Sequence, residues 1–209
     1  MGWVRRALWV AVFGAIVALT PGPRAETIID AWASVPSPSP PALKPVTVDA
    51  KTTALLLLDL LQQNCGKRPH CAAQLPAIAK LLAEVRSKGM TVVYSYFPGA
   101  AKTDILPQLA PKADEPTVQA FADKFNGTDL ETMLKAKGVK SVIIVGTSAN
   151  GAVLYTASEA LWHGFDAIVP VDGISANTPF AEKLAAWQLA NGVVAPNHLT
   201  LTTIDMIHF

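Results

Sequence analysis

The sequence predicts an α/β fold with a mostly parallel central sheet of about six strands and helices on both of its faces. Three observations predict it. Short continuous apolar runs such as "TALLLLDL" lack the polar alternation of a half-exposed strand and read as strands buried on both faces. Between them lie segments such as "AAQLPAIAKLLAEVRSKG", with apolar residues at helical spacing and a glycine stop at Gly89. Strand and helix then alternate along the chain, which implies parallel strands joined by right-handed crossovers.

The elements follow in order. Arg5 and Arg6 precede an uncharged run from Ala7 to Thr20, then Pro21, Gly22 and a small residue at Ala25. Residues 1–25 therefore read as a signal peptide, since a run of 14 residues falls short of the roughly 20 needed to span a bilayer. The expected location is periplasmic or secreted, with membrane contact only through the signal peptide during export. Residues 26–51 form a proline-rich N-terminal arm. Its "SVPSPSPPALKP" excludes helix and central strand and should run extended, with Ile28, Ile29 and Trp32 able to pack on the domain or on a neighbouring subunit.

Residues 52–209 are the expected catalytic-size domain. After "TALLLLDL" and its helix comes "MTVVYSYF" as a second strand. "TDLETMLKAKG" reads as a helix with Thr128 as N-cap and Glu131 completing a capping box, and "VKSVIIVG" as a third strand. "VGTSANGAVLYTASEA" runs from that strand into a helix that lasts to Gly164. The strand "FDAIVPVDG", a helix from about Pro179 to Leu189 and a strand near "HLTLTTIDM" complete the set. The irregular stretch from Pro98 to Gln119 is long enough to be a lid or a wall of a site.

Charge excludes some classes of partner. The chain carries 17 Lys plus Arg against 16 Asp plus Glu; losing Arg5, Arg6 and Arg24 with the leader leaves 14 against 16, a mature charge of −2. Nothing here attracts nucleic acid or anionic lipid. The two cysteines, Cys65 and Cys71, lie together in "NCGKRPHC", and an exported chain meets an oxidising compartment, so a disulfide is the leading reading. The alternative is a nucleophilic Cys65 with Lys67, Arg68 or His70 lowering its pKa, against which Cys71 would act as a trap. Two Cys and one His do not make a zinc set, and His70, His163, His198 and His208 are scattered, so no metal and no cofactor is expected.

In an open parallel sheet, ligands bind beyond the carboxyl ends of the strands. Asp59 stands there, immediately after four leucines, where desolvation raises a carboxyl pKa and suits acid or base work. The competing reading is an aspartate that caps a turn. The second strand ends in Ser95, Tyr96 and Phe97. The third ends in Gly146 to Ala152, where a helix start offers unpaired amides and small side chains allow close approach of a substrate; tight helix–sheet packing would explain the same residues. Asp172 has a similar address, but Gly173 favours a turn. Ser158 and Ser175 lack an identifiable base partner.

The order of these features resembles the isochorismatase-like, or cysteine hydrolase, superfamily across residues 52–209. The pieces that carry the resemblance are "TALLLLDLLQQN", "KFNGTDLETMLKAKGVKSVIIVG" and "GTSANGAVLYTASEALWHGFDAIVPVDG". It implies a three-layer α/β/α Rossmann-like fold and a homo-oligomer. In the common branch of that superfamily a thioester forms on cysteine, aspartate and lysine move protons, and backbone amides hold the oxyanion. Asp59 matches the aspartate. The cysteine position falls on Ala152, which places the chain with members lacking the nucleophile, such as isochorismatases proper, which protonate through the aspartate. The lysine position counts to Gln119, with Lys124 the nearest lysine. The metal ligands of the nicotinamidase branch have no counterparts after "VVYSYFPG".

The resulting expectation is an exported hydrolase-like protein acting on a small-molecule substrate, with Asp59 and Lys124 catalytic and Gln63, Tyr96, Ser148, Ala149, Asn150, Gly151 and Ala152 lining the pocket. The rival is a catalytically inactive member that holds a small ligand in the periplasm. An enzyme of this kind needs Lys124 within hydrogen-bond reach of Asp59.

Overall fold

The computed structural model describes residues 25–192 and 196–209. The proposed signal peptide falls outside the described residues, apart from Ala25. The chain divides after Ser37. The described part of the first unit contains one helical turn, α1 (Ile28–Ala31), in which the Asp30 carboxylate accepts hydrogen bonds from the Thr27 amide and hydroxyl. Ile28, Ile29 and Trp32 are exposed.

The second unit, Pro38–Phe209, holds the sheet. Its strands are β2 (Thr53–Leu58), β3 (Thr91–Tyr96), β4 (Thr117–Gln119), β5 (Ser141–Thr147), β6 (Asp166–Pro170), β7 (Ile174–Ser175) and β8 (Leu199–Thr202). They run in the order β4-β3-β2-β5-β6-β8, with β7 continuing beside β5, and every pairing is parallel. A separate parallel pair joins β1 (Val46–Thr47), at the end of the arm, to β9 (Ile207–His208).

The unbroken leucines of β2 have a simple cause. Successive strand residues point to opposite faces, and both faces are covered. Ala54, Leu56 and Leu58 belong to one core with α3 (Leu130–Ala136), α4 (Leu154–Trp162) and α5 (Pro179–Asn191). Leu55 and Leu57 belong to the other, beneath α2 (Pro69–Ser87). The result is the three-layer α/β/α arrangement expected from the sequence.

Helix α2 begins at Pro69, earlier than the apolar spacing indicates, and ends as Gly89 requires. At φ +68° Gly89 lets the Gly89 amide reach Arg86 O and the Met90 amide reach Val85 O, the paired bonds of a Schellman ending, with Met90 buried beyond it. The start of α3 corrects the sequence reading. Its N-cap is Asp129, without a side-chain cap bond. Thr128 instead donates to Lys124 O at 2.6 Å and accepts from the Leu130 amide at 3.2 Å, a local turn that competes with the capping role. Glu131 forms no capping box because its carboxylate is drawn to Lys135 and His163.

The stretch from Pro98 to Gln119 makes two 3₁₀ turns, Lys102–Asp104 and Pro107–Leu109, before the edge strand β4. It walls the loop after β2: the Gln62 amide donates to Asp104 O, the Leu106 amide donates to Leu60 O, and Leu61 bridges Ile105.

Candidate functional site

The site grows from the carboxyl ends of β2, β3 and β5. Leu58 and Gly146 are register partners, so Asp59 and Thr147 leave the sheet side by side. Gly146 is needed for this close approach: at φ +135° an added Cβ would lie 2.1 Å from Leu58 O. Beyond it a cis peptide joins Thr147 to Ser148, and a π-helical turn over Ala149–Val153 leads into α4. Within this turn the Gly151 and Val153 amides both donate to Ser148 O, at 3.0 and 3.1 Å.

Asp59 adopts φ +51°, a left-handed conformation uncommon outside glycine, and is only 6% exposed. Its backbone amide donates to Ser95 O, and its carbonyl accepts from Asn64 Nδ2 at 2.6 Å and from the Leu61 amide. The carboxylate is held at both oxygens. Ser95 Oγ donates to Oδ1 at 2.8 Å, and Lys124 Nζ donates to Oδ2 at 2.8 Å.

Lys124 is fully buried, and its ammonium has three acceptors for three protons: Asp59 Oδ2, Ala120 O at 2.9 Å and Phe121 O. Helix α4 anchors the segment that carries it, because Thr156 Oγ1 accepts from the Lys124 amide and donates to Ala122 O. Burial pushes the Asp59 carboxyl above the usual carboxylate value, outweighing the Lys124 charge and the hydrogen bonds from Lys124 and Ser95. Burial also lowers Lys124 below an ordinary lysine, against the pull of Asp59 and Asp123. Both shifts favour the neutral forms, so moving a proton between this pair and a third group costs less than it would for exposed partners.

The structure thus brings Asp59 and Lys124 together, with Ser148 half-buried, Ala149 and Ala152 buried, Asn150 exposed and Gly151 partly exposed on the adjoining turn. Tyr96 is half-buried and packs toward the α2 side. Gln63 is exposed and donates to Asp104 Oδ2 at 3.1 Å. Gln119, to which the lysine count pointed, is exposed at the end of β4, its amide on Ala100 O. Cys65 and Cys71 form a disulfide and are both buried. Asp172 accepts from the Ile204 amide, 32 residues away, a contact between distant segments and not within its own turn. Among the described residues no group of three His, Cys, Asp or Glu could hold a metal.

Asn64 and Thr156 were not singled out from sequence. Asn64 carries a faint signal, a turn former five residues after Asp59; Thr156 carries none, since its contact spans 32 residues.

Comparison with known proteins follows the same outline. Residues 53–200 match the family model described as "Isochorismatase domain". A secreted isochorismatase effector of Verticillium dahliae is 25% identical over 144 residues, 62% of this chain and 76% of the effector. An uncharacterized isochorismatase family protein of Escherichia coli O157:H7 is 29% identical over 157 residues, 62% of this chain and 82% of that protein. Among solved structures, an isochorismatase-like hydrolase from Alkaliphilus metalliredigens superposes with a TM-score of 0.67 at 24% identity, covering 75% of this chain and 96% of that one. N-carbamoylsarcosine amidase from Thermoplasma acidophilum gives 0.63 at 21% identity, covering 74% and 97%. These two structures share the fold with this chain.

Proposed function

The chain belongs to the isochorismatase family, and on that premise we propose that it is an exported hydrolase acting on a small polar organic substrate through Asp59, without a covalent thioester. One observation carries the reading: a buried carboxylate and ammonium 2.8 Å apart, beside a helix start with small side chains. Asp59 transfers the proton, as acid in its protonated form or as base in its ionised form. Lys124 stabilises the charge left on Asp59 after it gives up a proton. The helix start at Ser148 to Ala152, where the Gly151 amide is already bonded to Ser148 O, lends its remaining amides to the carbonyl or anionic group of the substrate.

The absence of a thioester follows from placing Ala152 at the nucleophile's position and from both cysteines being tied in the disulfide. Export is supported by the leader-like first 25 residues and by that disulfide, which suits an oxidising compartment. Exposed Phe121, Tyr155, Trp162, Phe180 and Leu184 support self-association, which light scattering on the purified protein tests.

The alternative, a ligand-holding protein without turnover, is favoured by a specific feature: the Lys124 ammonium is saturated by Asp59 and two carbonyls and has no exposed surface. Turnover of a panel of small amides, ureides and enol ethers, compared between the parent and Asp59→Asn, separates the two. Activity that survives Asp59→Asn sinks the catalytic reading. Ligands that raise the melting temperature without being consumed support the alternative.

A further inference from the structure

We infer that Asn64 is the positioning residue for Asp59 and that the Cys65–Cys71 disulfide fixes Asn64, so that the Asp59–Lys124 pair is assembled only in the oxidised protein. The inference rests on the reading of Asp59 as the proton-transfer group. Asp59 follows β2 in a left-handed conformation, which non-glycine residues adopt mostly where local hydrogen bonds support it. Its carbonyl is gripped by Asn64 Nδ2 at 2.6 Å. The other end of the same side chain, Asn64 Oδ1, accepts from the Leu61 amide at 3.0 Å and from the Cys65 amide. One side chain thus closes the loop from Asp59 to Cys65 from within.

The disulfide then ties that loop to the first turn of α2. Cys65 and Cys71 are both buried, and between them Arg68 Nε donates to Asn64 O at 3.2 Å while the Arg68 amide donates to Cys65 O at 3.1 Å. The ring spans a sequence separation of six residues. The entropy a crosslink removes from the unfolded chain grows with ring size, so so small a ring does comparatively little for global stability. Its placement, one residue after the side chain that holds Asp59, gives it a local role. A chain that has not reached an oxidising compartment would lack this clamp.

The test reads the titration of Asp59 without any substrate. Protein labelled with ¹³C at aspartate carboxyls, with the Asp59 resonance assigned from Asp59→Asn, is compared with Asn64→Ala, with Cys65→Ser/Cys71→Ser and with the triple variant. Loosening the loop lets Asp59 leave its desolvated position, so its midpoint should fall toward the ordinary carboxylate value. The triple variant should fall no further than either parent variant, because one chain of contacts is being cut twice. Reduction and reoxidation of the unmutated protein should move the midpoint down and back. Should the serine pair fail to fold, Asn64→Ala, which leaves the disulfide in place, carries the test. A midpoint that stays put or rises in folded variants, or effects that add, would overturn the inference even where stability drops. Turnover that survives Asp59→Asn would overturn the proposed function instead, so the two failures are distinct.

Discussion

Two ion pairs, each with a buried carboxylate, sit at opposite ends of the sheet, and they are built for opposite ends. At the carboxyl edge, Asp59 and Lys124 are each shifted toward neutrality by burial. At the amino edge, Arg86 in the last turn of α2 grips Glu115, just before β4, through Nε–Oε1 at 2.8 Å and Nη2–Oε2 at 2.7 Å. Burial there also raises Glu115, but the Arg86 hydrogen bonds, the Lys112 amide and both cations outweigh it and hold the carboxyl below its usual value. Arg86 is raised in turn, chiefly by its hydrogen bonding to Glu115. The difference lies in donors. Glu115 has a two-pronged guanidinium and a backbone amide, whereas Asp59 has one hydroxyl and one ammonium that it shares with two carbonyls. A fixed, fully charged clamp stabilises; a pair that burial shifts toward its neutral forms can exchange a proton.

The largest test of this contrast is kinetic. Asp59→Asn should cut turnover of any substrate the protein accepts by about 10²- to 10⁴-fold, the range for loss of a general acid or base. Glu115→Gln should leave turnover within about threefold while lowering the melting temperature. Equal losses in both variants would erase the distinction between the two pairs.

The two pairs should also be separable by stability. Arg86→Met strands Glu115 and abandons Tyr94 Oη and Ala110 O, costing about 2–3 kcal/mol in denaturant unfolding. Lys124→Met alone should cost about 3 kcal/mol, because it leaves a buried carboxylate without its cation. The double variant Asp59→Asn/Lys124→Met should recover most of that loss, to within about 1 kcal/mol of the parent, since replacing both members of a buried pair is often neutral. A double variant as unstable as the single one would mean that the Asp59–Lys124 pair serves the fold more than the chemistry.

What the sequence made legible divides along the same line. Asp59 could be found because four leucines mark a strand and an open parallel sheet places ligands just past its end. The amides at Ser148 to Ala152 could be found for the same reason. Lys124 was reachable only as the nearest lysine, since its partner lies 65 residues away. Ser95 was visible as a strand-end residue, but its hydrogen bond to Asp59, over 36 residues, was not. Thr156 was hidden because its contact depends on where the chain returns, which propensity and periodicity do not encode, whereas Asn64 was only faintly marked, as a turn former close to Asp59. The capping pattern at Thr128 does not reveal that Lys124 O takes the same hydroxyl.

The two pairs should also tilt stability against pH in opposite directions. Asp59 is raised in the native state, so its contribution is fully present below the unfolded value of 3.8 and is lost as pH rises through its higher native value. Glu115 is lowered, so its contribution is present above the unfolded value of 4.5 and is lost as pH falls through its native value. As pH rises above 3.8, Asp59→Asn should therefore become more favourable relative to the parent, whereas Glu115→Gln should gain on the parent only as pH falls below 4.5. Urea midpoints on either side of these values check both signs. Parallel slopes would break the comparison.

The smallest effect belongs to a third pair, which calibrates the other two. Lys135 and Glu131 face each other one helical turn apart on α3, both well exposed. Hydrogen bonding from Lys135 lowers the Glu131 carboxyl, as Arg86 does for Glu115. Water and salt screen such a pair, however, and holding two long side chains together costs entropy that offsets the attraction. Lys135→Gln should leave the urea midpoint unchanged at physiological salt. His163, within 3.1 Å of Glu131, supplies a second partner that further blunts the loss. If the midpoint nevertheless moved as far as it does in Arg86→Met, burial would not be what separates the strong clamp from the weak one, and the reading of the Asp59–Lys124 pair, which rests on burial, would lose its footing.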